Sequence, residues 1–242
     1  MTMRFLWRAW KARFHDQRTE IRELTASLRA GDFAVDVGAN KGSYLYWLSR
    51  AVGETGTAYA FEPQPVLAEY LRKECARLGN VVIEAAGVSD RAGELTLHVP
   101  HGGASPGASF EQSILQHGDC TSYAVPVVTL DEYFQSRKRR IAALKIDTEG
   151  HELSVLRGAR GVLQEDAPCL IMECEARHVT TGSVSDVLQF LESLGYRGSF
   201  VNQGRMCPMA EFDPARHQRQ HGERFWDAKD YCNNFVLRRR AA

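Results

Sequence analysis

The chain has 242 residues, 44% of them hydrophobic, enough for one well-cored domain and too few for two ordinary domains with a linker. Thirty basic and thirty acidic residues cancel, so no overall field draws nucleic acid. Cys75, Cys120, Cys169, Cys174, Cys207 and Cys232 show no C-x-x-C spacing and read as reduced thiols rather than disulfides or zinc ligands, and with no long apolar run and no signal-peptide core a cytoplasmic protein is expected.

Residues 3–28 have helical periodicity without glycine or proline. Met3, Leu6, Trp10 and Phe14 fall near one face with Trp7 beside them, while Arg4, Arg8, Lys11 and Arg18 crowd the other. Such a helix suits docking on its own domain, on a second subunit, or on an anionic surface, which would make the protein peripheral to the inner membrane surface. Residues 1–30 are therefore read as an amphipathic helical extension and residues 31–242 as the main domain, entered at Gly31-Asp32.

Phe33–Val37 reads as a buried parallel strand, followed by Gly38 and Gly42 around Asn40 and then a helix over Tyr44–Val52. This turn is expected to bring unpaired backbone N–H groups and a helix N-terminus to the carboxyl edge of a sheet, where open α/β folds bind nucleotides. A dinucleotide fingerprint needs a glycine where Asn40 stands, and Asp36 suits a cationic ligand such as S-adenosylmethionine better than a pyrophosphate. Asp36, Gly38, Asn40 and Gly42 are thus candidate cofactor-binding residues. Thr57–Phe61 is a second strand ending in Glu62, an acid placed to accept ribose hydroxyls from any nucleoside.

Pro65–Leu78 is the next helix and Val81–Glu84 the third strand, after which the small residues of Ala85–Asp90 leave room for an adenine ring at Gly87 and Val88. Glu94–Val99 alternates like a more exposed strand. Pro100–Ala124, rich in His101, Gly102, Gly103, Ser105, Pro106, Gly107, Ser109, His117 and Gly118, reads as a long excursion from the core, either a lid or acceptor surface or an inert insertion. Val125–Val128 returns to strand character, and Thr129 with Glu132 makes a capping box for a helix to Phe134. Arg137–Arg140 reads as a solvated face.

Ile141–Ile146 is the central fourth strand, ending in Asp147, and Thr148-Glu149-Gly150 turns into a helix from His151 to about Leu163. Cys169–Met172 is the fifth strand, running into Glu173-Cys174-Glu175 with His178 just after. A helix over Ser185–Leu194 precedes two last strands, Tyr196–Val201 and Tyr231–Leu237, separated by an irregular polar segment. The whole is an α/β fold with a mostly parallel seven-stranded sheet, an antiparallel last strand and helices on both faces.

If the cationic ligand is S-adenosylmethionine, the reaction is methyl transfer from its sulfonium, an in-line displacement that needs alignment and, for a hydroxyl acceptor, somewhere for the proton to go. Asp147, Glu149 and Glu173 are the candidate catalytic acids, with His151 and His178 as neighbours. A divalent ion on Asp147, Glu149, Glu173, Glu175 and His178 is chemically allowed, but no tight ligand spacing favours it. A nucleoside-binding module without turnover, or a nicotinamide-dependent oxidoreductase, would share parts of this pattern. The first would not need the acids beyond the fourth and fifth strands, and the second would want glycine at position 40.

Asp36-Val-Gly-Ala-Asn-x-Gly42, Phe61-Glu-Pro63, Thr129-Leu-Asp131 and Leu144-Lys-Ile-Asp-Thr-Glu-Gly-His-Glu-Leu153 with Leu156-x-Gly-Ala159, in this order, resemble the FkbM family of S-adenosylmethionine-dependent methyltransferases. The resemblance runs over roughly residues 31 to 240. It implies a Rossmann-like class I methyltransferase fold, S-adenosylmethionine as donor, and an active site lined by the block Lys145, Ile146, Asp147, Glu149 and Gly150. It also implies a small-molecule or glycan acceptor, a hydroxyl on a sugar, glycan or glycosylated natural product.

Overall fold

Successive residues of a strand point to opposite sheet faces, and here both sets are apolar, so the sheet has to be covered on both sides. The computed structural model describes residues 1–100, 104–179 and 182–239, the side chains of residues 113, 116 and 117 excepted. Its strands are β1 (Phe33–Val37), β2 (Thr57–Phe61), β3 (Val81–Glu84), β4 (Gly87–Val88), β5 (Gly93–Pro100), β6 (Cys120–Val128), β7 (Ile141–Ile146), β8 (Cys169–Glu173), β9 (Tyr196–Asn202), β10 (Arg205–Pro208) and β11 (Asn234–Arg239). The main sheet has the order β10-β9-β11-β8-β7-β1-β2-β3. β3, β2, β1, β7 and β8 run parallel, and β11 is antiparallel to both β8 and β9. Seven strands with an antiparallel last strand are thus present as expected. An eighth, β10, forms a hairpin with β9 inside the segment read as irregular.

The helices are α1 (Met3–Lys11), α2 (Arg18–Ala26), α3 (Leu45–Val52), α4 (Pro65–Cys75), α5 (Leu130–Tyr133), α6 (Glu152–Arg157), α7 (Arg160–Glu165), α8 (Val184–Ser193) and α9 (Pro214–His217), with a π-helical stretch over Ala12–Asp16. Val35, Leu144, Leu170, Met172, Phe235 and Leu237 face α5 to α8, while Ala34, Ala58, Ala60, Ala143, Ile171 and Val236 face α1 to α4. The N-terminal segment belongs to the second layer: Ile21 and Leu24 of α2 and Phe5 of α1 pack in one cluster with Leu45, Leu48 and Leu71. Of the face formed by Met3, Leu6, Trp10 and Phe14, Leu6 packs on the core, but the segment docks mainly through Phe5, Ala9 and, in the π-helical stretch, Ala12, whose small alanines let it sit close.

Three further segments differ from expectation. Gly87-Val88 is not plain loop but a short strand that pairs in parallel with β6, in a three-stranded sheet completed by β5. The excursion after β5 is shorter than composition suggested: β6 starts at Cys120 and pairs antiparallel with β5 back to Pro100, and a 3-10 helix covers Gln112–His117. His101, Gly102 and Gly103 of that stretch lie outside the described residues. The helix expected from His151 to Leu163 is broken into α6 and α7. At the break the Gly158 carbonyl accepts from the Asp131 N–H (2.9 Å), and a Cβ on Gly158 would lie 2.0 Å from the Ser89 carbonyl oxygen.

Asp131 also fastens the second half of that broken helix. Thr129 Oγ1 accepts from the Glu132 N–H (3.1 Å) to cap α5, and this aims the Asp131 carboxylate at the Gly161 and Val162 N–H groups (2.8 and 2.9 Å), which α7 cannot satisfy itself. Asp131→Ala should therefore destabilise the protein by about 1–2 kcal/mol. In a thermal melt that is a Tm lower by roughly 2–4 °C per kcal/mol, and an unchanged Tm would contradict this role.

Candidate active site

Beyond β1 the chain passes close over the end of β7. Gly38 has φ +74°, and a Cβ there would lie 1.8 Å from the Asp147 carbonyl oxygen, so the position excludes side chains through the protein's own backbone rather than through a ligand. Lys145 holds the crossing from beneath. It is buried, donates to the Gly38 carbonyl (2.7 Å), and lies 3.2 Å from Asp36 Oδ1 and 3.4 Å from Asp147 Oδ2. Burial alone would lower its pKa, but the Asp36 and Asp147 charges outweigh it and leave the ammonium well above its ordinary value.

Asp36 is not on the wall of the site. Residues 34 and 36 of β1 share a face, so the Asp36 side chain points under α3 towards Lys145, where burial raises its pKa and Lys145 opposes the rise. The amides expected to be free for a ligand are spent too. The Gly38 and Ala39 N–H groups donate to the Phe61 carbonyl (2.9 and 3.3 Å), Gly42 N–H to the Ala39 carbonyl (2.8 Å), and Asn40 N–H to Glu62 Oε2 (2.7 Å). Gly42 lies off the wall as well, its missing side chain leaving room for Leu71 and Phe5.

Above this loop is a cavity with about 500 Å³ of space between atoms, the open solvent at its mouth included. Gly38, Asn40, Glu62, Gly87 and Val88 line it, together with Asp147, Thr148 and Glu149. Val37, Phe61, Leu97 and Phe110 supply apolar walls. Part of the Pro100–Ala124 stretch closes one side: Pro106 and Ala108 line it, Ser105 and Gln64 exchange two hydrogen bonds of 2.9 Å, and Ser109 Oγ donates to the Glu149 carbonyl (2.6 Å). Gly87 is there for Phe110, whose ring would lie 2.5 Å from a Cβ.

Three acidic residues, Glu62, Asp147 and Glu149, line this space and no lysine, arginine or histidine does, among the described residues. Burial pushes Glu62 up to about 7 against the N–H groups of Gln64 and Asn40, each of which uses one lone pair of the carboxylate and leaves others free. Glu149 sits at φ +51°, a conformation few residues with side chains adopt, with Oε2 3.0 Å from His178 Nε2. Burial raises Glu149 and His178 opposes it; for His178, burial lowers the pKa but Glu149 prevails and raises it. Glu173 stands behind these two, accepting from Asn233 Nδ2 (2.7 Å), and burial with the charges of Asp147 and Glu149 drives its pKa well up. His151 is turned away, between Ser89 Oγ (3.0 Å) and Glu111 Oε1 (3.2 Å).

Residue patterns did not single out Glu152, although it lies within the quoted motif. One of its oxygens accepts from Thr148 N–H, Thr148 Oγ1 and Gly150 N–H (3.1, 3.0 and 3.1 Å), which shapes the turn carrying Glu149, and burial raises it to about 7. The role of Lys145 was hidden for the same reason, since only the tertiary crossing brings its partners together. Among the described residues no group of three His, Cys, Asp or Glu side chains is arranged to hold a metal ion.

The family model described as the methyltransferase FkbM domain matches residues 36–197. The chain is 28% identical over 159 residues to the hexuronic acid methyltransferase AglP of Haloferax volcanii, covering 64% of this chain and 62% of that protein. It is 32% identical over 165 residues to the methyltransferase sdnD of Sordaria araneosa, covering 55% and 62%. Each match therefore spans less than two thirds of the relative. Among solved structures, methyltransferase FkbM from Methylobacillus flagellatus superposes with a TM-score of 0.53 at 16% identity, over 96% of this chain and 53% of that one. Aeropyrum pernix fibrillarin in complex with natively bound S-adenosyl-L-methionine superposes with 0.52 at 12% identity, over 95% and 76%. At such identities the likeness is one of fold.

The buried ion pair yields a direct test. Lys145→Met leaves Asp36 buried without its counter-charge and is expected to cost about 3–5 kcal/mol. Adding Asp36→Asn should return part of that loss, because the fully buried carboxylate no longer needs a counter-charge and only the part-exposed Asp147 remains unpaired. Denaturant titrations giving strictly additive losses would contradict the pairing.

Proposed function

The chain belongs to the FkbM methyltransferase family, and from that membership we propose that it carries a methyl group from S-adenosylmethionine to a hydroxyl oxygen of a sugar, glycan or glycosylated natural product. The observation that carries the donor assignment is the charge of the cavity, with Glu62, Asp147 and Glu149 on its wall and no cationic side chain among the described residues. A nicotinamide dinucleotide would bring a pyrophosphate to a wall of carboxylates and to a loop whose amides are already bonded. A nucleoside bearing an ammonium and a sulfonium meets complementary charge there. Its ribose hydroxyls would donate to Glu62 and its base would lie between Val88, Leu97 and Phe110.

Bound S-adenosylmethionine supplies an electrophilic methyl group. The chain's own task is to aim an acceptor oxygen and take up its proton. Asp147 is the group we assign to it, because its side chain is part-exposed on the cavity wall while Lys145 fixes its position. Glu149 with His178 is a second reading, favoured by their 3.0 Å contact and the unusual backbone that aims Glu149. The hydroxyl acceptor draws support from the hexuronic acid methyltransferase among the relatives.

Two substitutions separate the donor side from the acceptor side. Glu62→Ala should weaken S-adenosylhomocysteine binding by at least about tenfold, roughly 1.4 kcal/mol, in calorimetry. Asp147→Asn should leave that affinity within a few-fold and lower turnover by about 100-fold or more. Loss of donor binding and turnover together in the Asn variant would make Asp147 a cofactor ligand, and full turnover would move the proton to Glu149 and His178.

A further inference from the structure

Helix α1 has two apolar faces, and the fold uses only one. At 3.6 residues per turn, Phe5, Ala9 and Ala12 fall together, and Met3, Trp7, Trp10 and Phe14 fall together on roughly the opposite side, with Arg4, Arg8 and Lys11 between them. The first face is fixed in the core: Phe5 packs edge-on against Tyr46 at 6.2 Å, and Trp47 Nε1 donates to the Ala9 carbonyl (2.7 Å). The second faces solvent, with Met3 84%, Trp7 58%, Trp10 49% and Phe14 47% exposed. The Trp10 and Phe14 rings lie 5.5 Å apart, and Phe14 also meets the Trp47 ring edge-on at 6.0 Å. Single exposed apolar residues are ordinary on a protein surface, whereas a stripe of four along α1 and the π-helical stretch that continues it is not.

Charge decides what covers the stripe. Residues 1–18 hold five arginine and lysine residues and one acid, Asp16, in a chain of zero formal net charge. Beside α1, a solvent-open groove is lined by Arg4, Arg8, Lys41, Val66, Leu67 and Tyr70, without an acidic side chain. Arg8 donates to the Tyr70 hydroxyl (3.2 Å), which holds one cation at its rim. A second copy of the chain packed two-fold on the stripe would set these cations against each other, so self-association is opposed by the same charges. Aromatic rings flanked by arginine and lysine match the boundary between acyl chains and anionic headgroups.

We propose that α1 seats the protein on an anionic lipid surface, with Met3, Trp7, Trp10 and Phe14 entering the interface and Arg4, Arg8 and Lys41 meeting headgroup phosphates. The seat does not depend on the proposed reaction, and it lies close to the cavity: Lys41 lines the groove while its neighbour Asn40 lines the cavity. Among the described residues no helix is long and apolar enough to cross a membrane.

The test is flotation of the full chain with phosphatidylcholine vesicles, with and without about 30% phosphatidylserine. Binding is expected to the anionic vesicles, at least about tenfold weaker to the neutral ones, and to fall as salt rises from about 0.05 to about 0.5 M. Trp7→Ser with Trp10→Ser should reduce it at least about tenfold, and Arg4→Glu at least about fivefold, with melting curves unchanged. Equal binding to both vesicle types, no binding at low salt, or full binding by the double tryptophan variant would each overturn the proposal. So would a dimer in sedimentation that the tryptophan substitutions dissociate while no vesicle binding is seen, because the stripe would then be an interface between copies.

Discussion

One buried ammonium sets the geometry of the site. Lys145 lies where β1 and β7 end side by side, and it touches the Gly38 carbonyl, Asp36 and Asp147 at once. A lysine in this position costs a large desolvation energy unless charges of opposite sign stay close, so both aspartates are held in place by the same requirement that keeps Lys145 charged. The consequence reaches the backbone. Drawing the loop after β1 against Asp147 leaves no room for a side chain at Gly38, and the positive φ there turns the chain up towards Asn40 and Glu62.

The same arrangement separates two kinds of acid. Asp36 is neutralised inside the protein, whereas Glu62, Asp147 and Glu149 face the cavity with no cationic side chain among the described residues of its wall. Burial has raised Glu62 and Glu149, and it has raised Glu173 behind them still further. A cationic ligand would relieve that crowding, while a polyphosphate would worsen it. The acids that make the cavity costly when empty are therefore the ones that would favour a positively charged nucleoside.

Much of this was legible in the residues. Apolar runs ending in Asp36, Glu62, Asp147 and Glu173 marked four parallel strands and the edge at which they stop, and the glycines around Asn40 marked the turn. What periodicity could not resolve was direction. It did not tell which side of β1 carries Asp36, because only strand alternation against Lys145 decides that. Nor did it tell which of the two apolar stripes of the N-terminal helix is buried; close packing on Tyr46 and Trp47 selects the one with Phe5 and small residues. The free loop amides were inferred from analogy to phosphate sites, and here Phe61 and Glu62 occupy them. β4, the early start of β6 and the hairpin strand β10 were missed because each is held by pairing partners distant in sequence or by a short turn without strong strand character.

The central claim is that the acid-lined cavity over Gly38 and Glu62 is a site for a cationic methyl-donor nucleoside. A crystal structure of the chain grown with S-adenosylhomocysteine tests it most directly. The nucleoside is expected in this cavity, its ribose hydroxyls on the Glu62 carboxylate and its base between Val88, Leu97 and Phe110. Density for the nucleoside at any other place, with the cavity filled only by water, would contradict it.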